Sequence, residues 1–275
     1  INWFFAINEF NGPSAGNCME EALLQGISEV VERDVSARVN QGRLAVPGID
    51  PDSVKDPVVK DLIAKYRQAG IRLYLSDFTL DTGIPTVGVM AHDPATFPEK
   101  SEIVWTAGTT PHPEKALSRA LTETAQLGGD FNTGANYVAS GLPKFGDLAA
   151  ADFITRPPKM ISIFDLPDLS NANMRVEVEN YVSALSSRGY DIFCADATHA
   201  ELQVPALYTI IPGAHFRERA QGTSVALFTA KLITETLPVP GALPLLAEMD
   251  QALGGKYYLR FYQAQCEIEM GHYES

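Results

Sequence analysis

Apolar side chains recur at a helical interval between Asn17 and about Asn40. With Glu21 set at zero on a wheel of about 100° per residue, Leu23, Leu24, Ile27, Val30 and Val31 fall between about 180° and about 300°. Asn17 falls at about −40°, Glu32 at about 20° and Glu29 at about 80°, with Gln25 beside them. The spacing predicts a helix with one apolar face and an opposite face of amides and carboxylates. Glycine and small polar residues precede it, from Gly12 to Asn17, and Ile1 to Ile7 before them is an apolar, strand-like run.

The same pattern divides the rest of the chain. Asp56 to Gly70 reads as an amphipathic helix, with Val58, Val59, Leu62, Ile63 and Tyr66 at helical spacing and Gly70 as its stop. Ile71 to Phe78, Pro85 to His92 and Ile103 to Gly108 read as strands with antiparallel neighbours. Pro111 and Pro113 open a helix that Gly128-Gly129 closes. Phe131 to Pro158 is loop-rich. Ile161 to Leu166 is expected as a strand, Asn171 to Gly189 as a helix, and Tyr190 to Ala195 and Val204 to Ile211 as strands. Thr223 to Leu237 is expected to be helical, Pro238 to Pro244 a break, and Leu245 to Leu253 and Lys256 to about Gly271 two further helices. Alternating helices and strands give an α/β (α+β) fold class.

Composition narrows the function. The 275 residues carry a net charge of −13, which argues against a nucleic-acid surface and against an anionic membrane surface. No apolar run approaches the length that spans a bilayer. Cys18, Cys194 and Cys266 lie far apart without a CxxC pair, so a disulfide framework is not expected and a reducing cytoplasm is the expected compartment. The opening does not read as a signal peptide. It begins at Ile1 within a strand-like run, which is the expectation for a fragment or a processed product.

The acidic face has two readings. It is what a solvated helix shows. Only Arg33 supplies a nearby counter-charge, however, so the carboxylates repel one another unless a cation lies among them. The small polar loop lets a ligand approach its backbone closely, and first-turn N–H groups donate to anionic oxygen. Loop, helix start and carboxylates together suit a phosphate ligand carrying magnesium. No GxxxxGK[ST] is present, so this is not a Walker A loop. On the later helix Arg119, Glu123 and Gln126 lie within roughly 60° of each other. Arg119 and Glu123 read either as a surface pair or as phosphate-facing groups. A lone His215 beside a strand end reads as a structural residue or a base.

NGPSAGN followed by GISEVVERD resembles the central motif of the YcaO family, in the form found in bacterial YcaO proteins rather than the NGLAAGNT form of azoline-forming members. HPEKALSRALTE, from His112 to Glu123, resembles a second family motif at matching spacing, and IIPGAHF resembles a segment after a strand. The resemblance implies an ATP-binding fold of mixed sheets with helices packed outside. It implies ATP and Mg as cofactors, with magnesium held by ExxE glutamate pairs. Ser14, Asn17 and Glu21 then fall on nucleotide and metal contacts. Glu29 and Glu32 fall on the ExxE pair, Arg33 follows it, and Arg119 with Glu123 falls on the nucleotide-contacting arginine motif.

Family members activate a peptide backbone amide by phosphorylating its carbonyl oxygen, and an azoline or thioamide results. A peptide or protein substrate is therefore implied, with a sulfur-delivery or accessory protein as partner and a homodimer compatible. The chain ends MGHYES without the proline-rich tail of azoline-forming members. Thioamide formation, or a role in modifying a ribosomal protein, is the expected branch. The resemblance also implies a missing segment. An earlier part of the family fold supplies a Lys, a Ser and a second ExxE pair, and this chain begins just upstream of the central motif. Residues 1–275 thus read as a YcaO-like domain without its N-terminal part, with 1–150 as the ATP/Mg-motif half and 151–275 as a C-terminal α/β half ending in helices. Alone they are expected to bind nucleotide weakly and not to turn over. The alternative is a non-catalytic truncated domain that serves as a scaffold or peptide-binding module.

Overall fold

The computed structural model describes residues 11–129, 131, 145–214 and 225–273. These fall into two compact units, one up to Ala214 and one from Val225 onward. The strand-like run from Ile1 to Ile7 and His215 lie outside the described residues.

The larger unit is built around the acidic helix α1, Met19–Gly42. Twenty-four residues without a proline let it run unbroken, and Arg43, at φ 45°, ends it in the left-handed region. Strand β1 (Pro13–Ala15) precedes it and pairs antiparallel with β8 (Ala206–Ile210), which pairs with β7 (Phe193–Asp196). The second sheet has the order β5-β4-β3-β2-β6. Its strands are β2 (Gly48–Ile49), β3 (Arg72–Asp77), β4 (Thr86–His92), β5 (Val104–Thr109) and β6 (Met160–Ile161). All its pairs are antiparallel except β2–β6, so the sheet is mixed. The α/β class with mixed sheets is therefore as the sequence predicts.

Helices cover both faces of the five-stranded sheet. Helix α2 (Pro57–Gln68), N-capped by Asp56, and helix α3 (Pro113–Leu127), N-capped by the His112 ring, pack Val59, Ile63, Leu117 and Leu121 against Leu75, Val87 and Val89. The other face takes Ile27, Val31 and Val35 of α1 with Tyr181 and Leu185 of helix α5 (Met174–Ser186), and a short helix α4 (Asp152–Thr155) adds Ile154. Because α1 also touches β1 and β8, it lies between the two sheets. The sequence predicts one buried face, but the helix is buried more widely: Ser28, Glu32, Asp34 and Ser36 are all buried. Gly26 permits this, since a Cβ there would collide with Thr209 Oγ1 and lie 2.8 Å from Ser14 Oγ.

Three local expectations change. Ile161 to Leu166 is a two-residue strand followed by a 3-10 turn at Ile163–Asp165, because Ser162 and Asp165 form a capping box that turns the chain. The helix expected from Asn171 begins at Met174, where Asn173 caps it. The division expected near residue 150 falls inside the larger unit, because Met160 and Ile161 add a strand to the sheet built by the first half.

The smaller unit contains helices α6 (Val225–Thr236), α7 (Val239–Leu253) and α8 (Tyr257–Glu269), with Ala230, Ala242, Leu246, Leu259 and Cys266 in its core. Pro238 to Pro244, expected as a break, opens α7 instead. Pro238 is its extended N-cap and Pro240 lies in the first turn, where a missing N–H costs nothing. Pro244 sits inside the helix. Of the aromatic residues at the start of α8, Tyr258 is buried while Tyr257 and Phe261 are exposed.

Candidate functional site

Glu32 lies at the point where α1, the end of β5 and α3 meet. Its carboxylate accepts a hydrogen bond from the Thr109 main-chain N–H at 3.2 Å. Arg119 Nε of α3 stands 3.8 Å from the same oxygen, and Arg33 Nη2 stands 3.8 Å from the other. One turn back on α1, Glu29 Oε1 accepts from Arg33 Nε at 2.9 Å. Gln25 Oε1 accepts from Arg119 Nη1 at 2.9 Å. Glu123, one turn beyond Arg119, is near enough to act on both Glu32 and Arg33. Helical spacing explains the convergence, since residues three and four apart share a face. Gln25, Glu29 and Glu32 present one stripe of α1; Arg119 and Glu123 present one stripe of α3.

Burial decides the electrostatics. The Glu32 side chain is 2% exposed. Burial pushes its carboxyl from 4.5 up to about 8; Arg33 and Arg119 oppose the shift, and Glu29 and Glu123 add to it. Burial works against charge on Arg33 too, but Glu29 and Glu32 outweigh it and hold its pKa above the ordinary value. The two arginines offset the effect of burial on Glu32 only in part.

The other sequence-predicted residues lie at the start of α1. Asn17 donates to Glu21 Oε2 from its main-chain N–H at 2.7 Å and its Nδ2 at 2.9 Å. Ser14 Oγ donates to Ala22 O at 2.8 Å. Glu21 is two turns from Glu29, about 12 Å along the axis. The structure thus brings Glu29, Glu32, Arg33, Arg119 and Glu123 together, and holds Ser14, Asn17 and Glu21 as a second group on the same helix. Gln25 was visible on the wheel as part of the acidic face. The Thr109 N–H carries no sequence signal, because it is a main-chain group.

Among the described residues no three His, Cys, Asp or Glu side chains gather closely enough to hold a metal ion by themselves. The donor chemistry nevertheless fits magnesium. Glu29, Glu32 and Glu123 offer hard carboxylate oxygens, and a divalent cation would offset the charge that burial makes costly at Glu32. Arg33 and Arg119 offer guanidinium donors suited to phosphate oxygens.

Residues 2–215 match the family model described as YcaO cyclodehydratase, ATP- and Mg2+-binding. An uncharacterized protein of Methanothermobacter thermautotrophicus is 29% identical over 220 residues, 74% of this chain and 55% of that protein. The Escherichia coli ribosomal protein S12 methylthiotransferase accessory factor YcaO is 32% identical over 117 residues, 42% of this chain and 19% of its own length. The chain therefore spans about half, or less, of the length of these relatives. Among solved structures, the heterocyclase TruD matches with a TM-score of 0.65 at 28% identity, covering 77% of this chain and 30% of its own. YcaO from Methanopyrus kandleri, bound with AMPPCP and Mg2+, matches with a TM-score of 0.58 at 28% identity, covering 74% of this chain and 55% of its own. With the family model matched over more than three quarters of its length, the chain belongs to the YcaO family, whose cofactors are ATP and Mg2+.

Proposed function

We propose that this chain carries one part of an ATP·Mg2+ site that activates a backbone amide of a peptide or protein by O-phosphorylation. The observation that carries the reading is the buried Glu32 between Arg119 and Arg33, with Glu29 and Glu123 beside it. Bound ATP·Mg2+ supplies the phosphoryl group and the charge that polarises it. Glu29 and Glu32 would hold the metal, with Glu21 and Glu123 as further carboxylates on the same two helices. Arg119 and Arg33 would neutralise phosphate oxygens, which is most of what phosphoryl transfer asks of a protein. Ser14 and Asn17 would contact the nucleotide at the start of α1. Asn17 presents its amide there already, in a bond to Glu21.

The product class follows the relatives. Two solved neighbours are heterocyclases, and one matched relative is an accessory factor of ribosomal protein methylthiotransfer. We place this chain in thioamide or azoline-type modification, or in modification linked to a ribosomal protein. A peptide or protein is the substrate and a sulfur-delivery or accessory protein is the partner. The second reading, a non-catalytic scaffold or peptide-binding domain, is favoured by the absence, among the described residues, of three His, Cys, Asp or Glu side chains gathered to hold a metal ion. Oxygen tracing tests the choice. The amide oxygen bonds to the transferred phosphorus, and later leaves with it when a nucleophile displaces phosphate from the amide carbon. With a carbonyl-18O peptide and the full-length protein, the released inorganic phosphate is expected to carry the label. ATP consumption without label in phosphate would overturn the amide-activation reading; no consumption at all would favour the scaffold.

A further inference from the structure

Strand β3 has a partner along its whole length on one side only. Its register with β4 runs from Arg72↔His92 to Asp77↔Val87. On the other side β2 reaches it at Gly48↔Ser76 alone. Past Ile49 the chain turns away into the turn at Pro51–Ser53. Main-chain directions follow from two bonds. Phe78 N–H donates to Thr86 O across β4, and Asp77 N–H donates to Pro47 O on the β2 side. Alternation then points Leu73 and Leu75 main-chain groups to the β2 side; Ile49 of β2 lies opposite Leu75, so Leu73 is the residue of β3 left facing the gap. Among the described residues no strand continues the line of β2 along Arg72–Leu75.

A cavity of about 440 Å³ lies there. Leu73 and Leu75 form its floor, Ile63 and Arg67 of α2 one wall and Ile154 of α4 the other, and it ends at the β2–β6 pair. Its lining contains Arg67 and Arg72 and no Asp or Glu, in a chain of net charge −13. Arg72 is exposed at the mouth, and Arg67 reaches Asp52 at 3.6 Å with both side chains more than half exposed. An ion pair that exposed is weak and exchanges readily for another anion.

We propose that this slot binds an extended acidic peptide segment, which continues the line of β2 beyond Ile49 and pairs antiparallel with β3 at Leu73. An open strand edge supplies the main-chain hydrogen bonds, alternate apolar side chains enter the cavity, and Arg67 and Arg72 select acidic residues. The site stands apart from the α1–α3 cluster and needs no nucleotide.

The test uses the whole chain without ATP and a fluorescein-labelled octapeptide of alternating valine and glutamate. One control replaces glutamate by lysine. Another is N-methylated at every second residue on the edge that would face β3. The acidic peptide is expected to bind saturably. The lysine peptide, the N-methylated peptide and the Arg72→Ala protein are each expected to bind about ten-fold more weakly or worse. Amide hydrogen exchange at Leu73 is expected to slow on binding. Arg72 is exposed, so Arg72→Ala is expected to keep the wild-type melting curve. Equal binding of the acidic and lysine peptides, full binding of the N-methylated peptide, protection elsewhere than β3, or no binding would each overturn the proposal. Self-association that the peptide displaces and Arg72→Ala abolishes would put a second copy of the chain in the slot, and would overturn it equally.

Discussion

At Glu32, burial outweighs two arginines, and the sign of its titration follows. Its folded pKa of about 8 lies above the ordinary carboxyl value of 4.5, so the folded metal-free chain holds the proton more tightly than the unfolded one. The associated stability is complete below about 4.5 and is lost as pH rises through about 8. Melting curves in EDTA are therefore expected to move to lower temperature over that window, and Glu32→Gln to flatten the profile. A magnesium ion held by Glu32 would displace that proton, so its affinity is expected to climb with pH up to about 8 and then level off. A magnesium titration of the protein at several pH values reads this directly. Much of the cluster was legible in the sequence. The wheel put Glu29 and Glu32 on one face, and the Arg119–Glu123 spacing put both on another. Their meeting was not, since it depends on how α3 packs beside the end of β5 and on a main-chain donor at Thr109.

At the scale of elements, α1 owes its place to small residues as much as to its apolar face. Gly26 lets β8 and β1 lie against it, so a larger side chain separates them. Gly26→Val is expected to cost about 1–3 kcal/mol in denaturant unfolding, by overpacking. Leu117→Ala is expected to cost about 2–5 kcal/mol, because it opens a cavity between α3 and the sheet, where Leu117 is fully buried. Long periodic elements were readable because their apolar spacing repeats. The errors fall where local chemistry competes with pattern. Ile161 to Leu166 looked apolar enough for a strand, but Ser162 and Asp165 cap a turn within it. The prolines from Pro238 looked like a break, but prolines in a first helical turn are compatible with it. The wide burial of α1 was invisible because a single wheel shows one apolar arc, whereas Tyr181 covers Ser28, and Thr109 and Arg119 cover Glu32, from far along the chain.

For the whole molecule, charge sets how a nucleotide arrives. A chain of net charge −13 repels an anionic ligand at long range, and salt screens that repulsion over about 10 Å at 0.1 M. The association rate of ATP·Mg2+ is therefore expected to rise with moderate salt, measured by stopped-flow with a fluorescent nucleotide, even though Arg33 and Arg119 attract phosphate locally. Among the described residues no helix is long and apolar enough to cross a membrane.

The central claim, that the α1–α3 cluster binds ATP through magnesium, is tested most directly by isothermal titration of ATP into the chain with magnesium and with EDTA. The same titration is run on Glu29→Gln/Glu32→Gln, a variant that keeps side-chain size and removes two carboxylates. Weak, magnesium-dependent binding to the wild type is expected, falling about ten-fold or more in the variant. Equal binding in EDTA, or unchanged binding by the variant, would contradict it.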